Sequence, residues 1–230
     1  MKKHKTKHEI IKNGIVILLL VIIVALSFMS IKERGITITG AAVTKVLVFE
    51  RFGYGCNITL ISGWNLISLP CEQTNNSILT VLNNTLLNYT SVHYYNASDI
   101  NDHWKAFNPS LPSWVSHDLN FVSTKDGYWI KSNVNFTHNI NGSITVPQYV
   151  ELFKGWNLIG YPINETRSVS DVLSLINGIY TIVWKYNSSD STSWRYFISP
   201  SSNTFSVLEL SSGYWINATS NITLKLDRSD

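Results

Sequence analysis

The chain has 230 residues, of which 44% are hydrophobic and only 14% are charged, and its formal net charge is +3 at pH 7. The first 30 residues hold five lysines and one glutamate, so the remainder carries a net charge near −1. This remainder has no basic patch interleaved with aromatic residues and no glycine-rich phosphate loop, which argues against nucleic-acid and nucleotide binding.

The N-terminus has the pattern of a membrane anchor. Residues 1–13 form a basic tail, and residues 14–31 run without a charge for close to the ~20 residues that cross a bilayer. The lysines before this segment predict a cytoplasmic N-terminus and an extracytoplasmic C-terminal domain in a single-pass protein of the cell membrane. A cleaved signal peptide is the alternative, although "ALSFMS" fits a cleavage site poorly.

The exported part contains an internal sequence repeat. "GWNLISLP" at Gly63–Pro70 returns as "GWNLIGYP" at Gly155–Pro162, and "DGYWIKS" returns as "SGYWINA", with the offset between copies changing from 92 to 86 residues. Such self-similarity predicts a duplicated structural unit. We therefore expect a linker and first strand over residues 32–48, one repeat over 49–147 (the first half) and another over 148–230 (the second half).

Each repeat has the pattern of about five strands and one short helix. The runs around "GWNLI" alternate in hydrophobicity on both sides of a glycine and predict a β-hairpin, and "NINGSITV" between the repeats also looks like a hairpin. Ser77 and Ser168 suit helix N-caps. The aromatic stretches 93–107 and 182–198 each predict two strands joined by a polar turn, and "GYWI" predicts a further strand.

The predicted fold is mainly β with a minor α+β component. It consists of an N-terminal transmembrane helix followed by two tandem, pseudo-symmetric repeats. Whether the repeats form one sheet system or two domains is left open by the sequence, although their short connection favours packing side by side about a pseudo-twofold axis.

The pairing of "GWNLIS-x-P" with a later "GYWI" resembles a repeat of exported surface proteins from archaea and some bacteria. The resemblance covers most of Ile58–Thr223, and "ITGAAV" at Ile38–Val43 is similar to a short signature in exported proteins of small-genome archaea. The resemblance implies a cell-surface location and a mostly β module. It brings no catalytic residues.

Both cysteines of the chain lie close together in sequence. Cys56 and Cys71 flank the first predicted hairpin, which would bring them side by side. In an oxidising compartment this arrangement predicts a disulfide, the alternative being two unrelated buried thiols.

Six of the eight tryptophans occur at matching positions in the two halves: Trp64 with Trp156, Trp104 with Trp194, and Trp129 with Trp215. Their recurrence predicts core or strand-face residues that serve the repeated fold. Trp114 and Trp184 have no tryptophan partner. They are the candidates for stacking on a sugar ring, with local packing as the alternative.

No catalytic or metal site is predicted. His93, His103, His117 and His138 all lie in the first half, but their spacing matches no zinc pattern, and "NASDIND" lacks the glycine and terminal glutamate of a calcium loop. The run Ser116–Asp118 contains the residue types of a catalytic triad without evidence that they converge. The aligned Asp99 and Asp190 each lie in a polar turn.

Glycosylation sequons are more frequent than composition predicts. Eleven of 23 asparagines begin N-x-S/T, whereas Ser and Thr make up only 46 of 230 residues. The sequons begin at Asn57, Asn75, Asn83, Asn88, Asn96, Asn135, Asn141, Asn164, Asn187, Asn217 and Asn221. This excess predicts a glycosylated ectodomain.

These observations together predict a membrane-anchored surface protein, not an enzyme, with a binding, adhesion or envelope-structural ectodomain and no cofactor. Its expected partners are the membrane and an envelope protein or glycan, with nucleic acid excluded. A carbohydrate-binding module that uses exposed aromatics is the alternative, and an exported hydrolase is the third class.

Overall fold

Antiparallel strands make up about half of the computed structural model, which describes residues 33–36, 48–112, 114–198 and 202–229. The prediction of a mainly β fold with little helix is therefore confirmed. The predicted basic tail and anchor, residues 1–31, and most of the predicted linker lie outside the described residues. In the part of the chain that the structure describes, no helix has the length and apolar character needed to span a membrane.

The strands of the first half and of the segment before it are β1 Glu33–Ile36, β2 Val48–Leu60, β3 Gly63–Ser68, β4 Tyr89–Tyr95, β5 Trp104–Phe107, β6 Gly127–Ser132 and β7 Phe136–Val146. Those of the second half are β8 Gln148–Leu152, β9 Gly155–Gly160, β10 Arg167–Ser168, β11 Tyr180–Tyr186, β12 Trp194–Ile198, β13 Ser202–Asn203, β14 Val207–Leu208, β15 Gly213–Ala218 and β16 Ile222–Leu226. Two one-turn helices, α1 Ile78–Val81 and α2 Val169–Val172, complete the elements.

Each half combines a larger sheet with a two-stranded ribbon. The first half has a sheet of order β3-β6-β4-β5, and the second has the matching order β9-β15-β11-β12 with the short β13 added at its edge. The ribbons are β2 with β7 and β8 with β16, and β1 adds a third strand to the first by pairing with β2. Apolar residues from both layers, such as Ile58, Ile130 and Ile140, form the buried core.

The short helices and the paired aromatic strands occur where the sequence predicts them. One helix follows the second strand of the first half and the third strand of the second half, and Ser168 caps α2 by accepting a hydrogen bond from the Asp171 N–H at 3.0 Å. Ser77 occupies the same position before α1 but makes no side-chain cap. Strands β4 and β5 pair with each other, as do β11 and β12.

The prediction that "GWNLI" forms the second strand of a hairpin is wrong. Strand β2 pairs with β7 while β3 pairs with β6, so the chain passes from one layer to the other at Gly63. Gly63 has φ +104° and Gly155 has φ +101°, a conformation that favours glycine. The turn is therefore a corner between two sheets, which hydrophobic alternation alone cannot distinguish from a hairpin.

An asparagine side chain stabilises each corner. The Asn157 Oδ1 accepts a hydrogen bond from the Phe153 N–H at 2.8 Å, while its Nδ2 donates to the Phe153 and Gly155 carbonyls at 2.7 and 3.0 Å. Asn65 makes the same three bonds in the first half. The motif is thus conserved between the halves because its glycine and asparagine build the corner.

The hairpin prediction for "NINGSITV" is also wrong, because these residues belong to the single strand β7. Its register with β2 is continuous from Phe136 to Val146. Gly142 does not form a turn; it allows the backbone of Glu72 to pack closely against this strand. A Cβ at this position would lie 2.5 Å from the Glu72 carbonyl oxygen. The backbone of Glu72 exchanges two hydrogen bonds of 2.9 Å with Ser143 beside it.

The predicted disulfide between Cys56 and Cys71 is present, with Cα atoms 6.0 Å apart. The predicted reason for it was wrong, since no hairpin joins the two residues. Cys56 lies on the ribbon strand β2 and Cys71 follows the sheet strand β3, so the bond links the two layers of the first half.

The two halves meet through matching contacts. The Ser68 N–H donates to the Ser211 carbonyl at 3.0 Å, and the equivalent Gly160 N–H donates to the Lys125 carbonyl at 2.8 Å. Gly213 and Gly127 allow this approach, because a Cβ on either would come within 3.0 Å of a backbone oxygen of the other half. This exchange of equivalent contacts relates the halves by a pseudo-twofold axis.

Candidate functional site

Alternation along the strands places the large aromatics on the face of each main sheet that points away from the core. In the first half Tyr128 and Ile130 are buried while Trp129 is half-exposed. Cross-strand pairing puts His93 beside Trp129, and in the second half it puts Trp184 beside Trp215. We call this continuous surface across both halves the aromatic face.

The aromatic face contains two clefts. Cleft A has a volume of about 530 Å³ and is lined by Tyr95, Trp156, Trp184, Trp194 and Trp215. Cleft B has a volume of about 450 Å³ and is lined by Trp64, His93, Trp104, Trp129, Tyr186 and Trp194. Trp194 lines both clefts, so the clefts adjoin each other.

Both halves contribute to each cleft in a reciprocal way. Tyr95 of the first half packs on Trp215 of the second with ring centroids 5.0 Å apart, and Tyr186 of the second packs on Trp129 of the first at 4.9 Å. These are equivalent contacts under the pseudo-twofold relation. Neither cleft is complete within one half.

The rings within the clefts stand almost at right angles. The interplanar angle is 89° between Trp156 and Trp215, 87° between Trp64 and Trp129, and 90° between Trp184 and Trp194. Such edge-to-face pairs are a favoured arrangement of aromatic rings. A ligand in either cleft therefore meets aromatic surfaces in two orientations.

Of the two positions predicted for the recurrent tryptophans, core and strand face, the structure shows the strand face. Trp64, Trp104, Trp156 and Trp194 are 40–46% exposed, and Trp129 and Trp215 are half-buried. Recurrence in both halves was read as a sign of a purely structural role. It fits a ligand site equally well, because duplication copies a binding surface together with its scaffold.

The indole nitrogens of the cleft tryptophans are available to a ligand. No hydrogen bond joins the Nε1–H of Trp64, Trp156 or Trp194 to another of the described residues, and these three side chains are 40–43% exposed. A tryptophan N–H has no role as an acceptor, so it requires an oxygen from water or ligand. The aromatic face thus offers apolar ring surfaces beside hydrogen-bond donors.

The two clefts differ at two equivalent positions. Trp184 of cleft A corresponds to His93 of cleft B, and Asn217, opposite Trp156, corresponds to Lys131, opposite Trp64. The Lys131 ammonium lies 5.7 Å from the Trp64 ring centroid. Burial lowers the pKa of His93 more than the nearby Asp118 carboxylate raises it, which favours the neutral imidazole.

Of the two residues predicted to stack on a ligand, the structure places only Trp184 in a cleft. Trp114 is 82% exposed in the loop after β5, and it makes no ring contact with another described residue. Sequence reasoning missed Tyr95, Tyr186 and His93. Their signal was present, since each lies an even number of residues from another aromatic on its strand.

The other histidines are dispersed through the first half. His103 stacks on Tyr95 at 4.9 Å, His117 packs against Phe107 at 4.6 Å, and His138 contacts the Val81 carbonyl oxygen at 2.6 Å through its Nε2. Among the described residues, no group of three or more His, Cys, Asp or Glu side chains is placed to hold a metal ion.

The candidate acidic residues are engaged in local contacts. Asp118 accepts from the Ala106 N–H at 2.6 Å, and the Nδ1 of the adjacent His117 accepts from the Asn108 N–H at 3.4 Å. Asp99 and Asp190 form ion pairs with Lys105 and Arg195 at 2.8 and 3.0 Å. Within the "SHD" run, the side chains of His117 and Asp118 therefore accept hydrogen bonds from separate backbone groups.

Seven of the eleven predicted glycosylation sites are exposed, and two of these lie on the side of the core opposite the aromatic face. The exposed sequon asparagines are Asn57, Asn75, Asn83, Asn135, Asn141, Asn164 and Asn221. Of these, Asn57 and Asn141 are on the ribbon strands, which cover the opposite side of the core. The half-buried ones are Asn88, Asn96, Asn187 and Asn217.

Comparison of the chain with protein-family models, with curated proteins and with solved structures gave no match in any of the three. The function is therefore argued from the geometry of the aromatic face.

Proposed function

We propose that this chain is a membrane-anchored, N-glycosylated cell-surface protein whose ectodomain binds carbohydrate without catalysing a reaction. The ligand-binding surface is the aromatic face. The repeat that resembles those of exported archaeal and bacterial surface proteins forms its scaffold, and the basic, apolar N-terminus is its anchor.

The observation that carries the proposal is the combination, in one exposed surface, of aromatic ring faces and indole N–H groups without a partner among the described residues. A pyranose ring has an apolar face of C–H groups and an edge of hydroxyl groups. The half-exposed rings of Trp64, Trp156 and Trp194 can pack against the C–H face of the sugar. Their indole N–H groups can donate hydrogen bonds to its hydroxyl groups. A purely apolar ligand would leave those donors without partners, which costs binding energy.

The size and continuity of the clefts favour a chain over a single sugar. The cleft volumes of about 530 and 450 Å³ fall in the range of sites for ligands larger than one ring. Because Trp194 lines both clefts, an extended saccharide can occupy them in succession. The ligand we propose is therefore an oligosaccharide of several residues.

The experiment is a glycan-binding measurement on the ectodomain with tryptophans removed one at a time. Trp156→Ala in cleft A and Trp64→Ala in cleft B should each weaken binding about three- to tenfold, since a favourable aromatic contact contributes ~0.5–1.5 kcal/mol beyond its burial. Trp114→Ala is the matched control, because it removes an exposed indole outside both clefts. Binding that none of the three changes, or failure to bind any saccharide, would contradict the proposal.

The distribution of sequons supports surface display. Glycans on Asn57 and Asn141 would lie on the ribbon side, away from the aromatic face. Protein isolated from its own cells should show a mobility shift after enzymatic or chemical deglycosylation. An intact mass equal to that of the unmodified chain would rule out this part of the proposal.

A further inference from the structure

We propose that cleft B binds an acidic sugar residue and cleft A a neutral one, so that the ligand is an acidic oligosaccharide. This inference rests on the proposed function and extends it to the chemical class of the ligand. It follows from differences between two clefts that share equivalent residues at the positions of Trp64 and Trp156, of Trp129 and Trp215, and of Tyr186 and Tyr95.

The first difference is one of charge. Lys131 is exposed beside Trp64 at the edge of cleft B, and among the described residues no carboxylate lies within ion-pair distance of its ammonium group. At the equivalent edge of cleft A, Asn217 lies beside Trp156, and its Oδ1 accepts a hydrogen bond from the Thr181 hydroxyl at 3.3 Å. Cleft B therefore has a cation available to a ligand carboxylate, and cleft A has a neutral amide in that place.

The second difference is one of polarity. His93 places an imidazole in cleft B where Trp184 places an indole in cleft A. The ring of Trp184 extends the apolar surface by packing on Trp194 and Tyr196 at 6.0 and 5.5 Å. Cleft A is thus suited to the C–H face of a neutral sugar, and cleft B can also meet a polar substituent.

The surrounding charges are compatible with an acidic ligand. Lys105 and Lys185 are already paired with carboxylates, Asp99 and Glu209 respectively. Asp118, the acidic group that acts on His93, accepts a backbone hydrogen bond from Ala106 at 2.6 Å. Lys131 is thus a cation beside cleft B that contacts the Trp64 ring and forms no ion pair with a carboxylate of the described residues.

The test compares uronic-acid-containing oligosaccharides with their carboxyl-reduced, neutral counterparts on the ectodomain produced without N-glycans. We expect the acidic member of a pair to bind about fivefold more tightly, the size typical of an exposed ion pair, and the difference to shrink as salt is added. Lys131→Asn, which copies the residue of the second half, should abolish the difference. Trp114→Ala, which lies outside both clefts, is the control that should leave the binding of both members unchanged.

The reciprocal substitution provides a second measurement. Asn217→Lys should give cleft A the same preference for the acidic member, and it should do so in a chain that also carries Lys131→Asn. Neutral and acidic members that bind equally, with no effect of Lys131→Asn, would overturn this inference and leave the proposed function standing. Failure of every saccharide to bind would overturn both.

Discussion

At the scale of single residues, the repeated motif is explained by one buried amide. Asn65 is 4% exposed and Asn157 is 2% exposed, and each satisfies the backbone of its corner with three short hydrogen bonds. A buried amide of this kind is favourable only when its donors and acceptor are all paired. Trp64 and Trp156, which precede these asparagines in the motif, point to the aromatic face instead.

Asp126 is the residue that should make stability depend on pH. It lies where the two halves meet, and its Oδ2 accepts a hydrogen bond from the Tyr128 hydroxyl at 3.4 Å. Burial raises the pKa of the Asp126 carboxyl to about 6, and hydrogen bonds from Tyr128 and Tyr94 offset only part of that effect. The folded state therefore binds a proton more tightly than the unfolded chain does.

This sign predicts that the contribution of Asp126 to the free energy of unfolding is fully present below about pH 4 and is lost as the pH rises through about 6. Asp126→Asn removes the titrating group, so the variant does not lose this contribution. As the pH rises through these values, the free energy of unfolding of the variant should therefore increase relative to that of the native protein, by ~2–3 kcal/mol. Chemical denaturation of both proteins at a series of pH values measures the difference. A difference that stays constant with pH would contradict the prediction.

At the scale of elements, the fold depends on strands that change sheet. Strands β2 and β8 belong to ribbons, whereas β3 and β9, which begin only a few residues later, belong to the main sheets. Each half therefore forms a sandwich of two layers, and the buried residues of both sandwiches belong to one hydrophobic core. In the first half the two layers are joined by the chain at the Gly63 corner and also by the disulfide between Cys56 and Cys71.

Removal of this disulfide should destabilise the protein without changing its fold. Replacement of both cysteines by serine should lower the free energy of unfolding by ~3 kcal/mol, as expected for a cross-link that closes a loop of about 15 residues. Denaturation of the variant beside the native protein measures this loss. The second half closes the equivalent layers without cysteine, so a variant that fails to fold at all would contradict the expectation.

At the scale of the whole molecule, the two halves depend on each other. The reciprocal hydrogen bonds at Ser68 and Gly160 join their backbones, and the reciprocal contacts of Tyr95 and Tyr186 join their aromatic surfaces. Because the contacts at the junction are close-packed, a loss of structure in one half removes packing from the other.

This dependence predicts that the two halves unfold together in a single transition. Asn65→Ala acts in the first half and Asn157→Ala in the second, and each leaves a buried N–H and carbonyl without partners at a cost of ~1–3 kcal/mol. Either substitution should shift the entire transition, followed by tryptophan fluorescence and by circular dichroism. Asn139→Ala, which removes only an exposed bond to Asn57, is the control and should change little. Two separate transitions in either corner variant would show that the halves fold independently.

Local signals in the sequence predicted much of this fold. The alternation in "YTIVWKY" predicts a strand with one buried and one outer face. Ser168 predicts the beginning of a helix, and the two copies of "GWNLI", 92 residues apart, predict the duplication. Cys56 and Cys71 were paired correctly because only one pairing is possible. These properties depend on residues that are near each other in the chain or on simple counting.

The corner and the site could not be obtained in this way. A strand that turns into another sheet has the same alternation as a hairpin, since the side-chain period is two in both cases. Likewise, the two-residue period of side chains along a strand places Trp129 and Ile130 on opposite faces of the sheet. Because both faces of a sheet can be apolar, this period does not show which of the two residues is in the core. Which side became the core was decided by the ribbons, and they cover Ile130 and leave Trp129 outside.

By itself, the sequence determined the duplicated β architecture and the disulfide, because hydrophobic period, repetition and cysteine number are properties of the chain. Only the tertiary structure decided that the recurrent tryptophans form a surface. Each cleft needs Tyr95 or Tyr186 from the opposite half, and those partners are brought into contact by the pseudo-twofold packing of segments that lie far apart in the chain. Packing between distant segments is set by the summed contacts of the whole core, which no local pattern records.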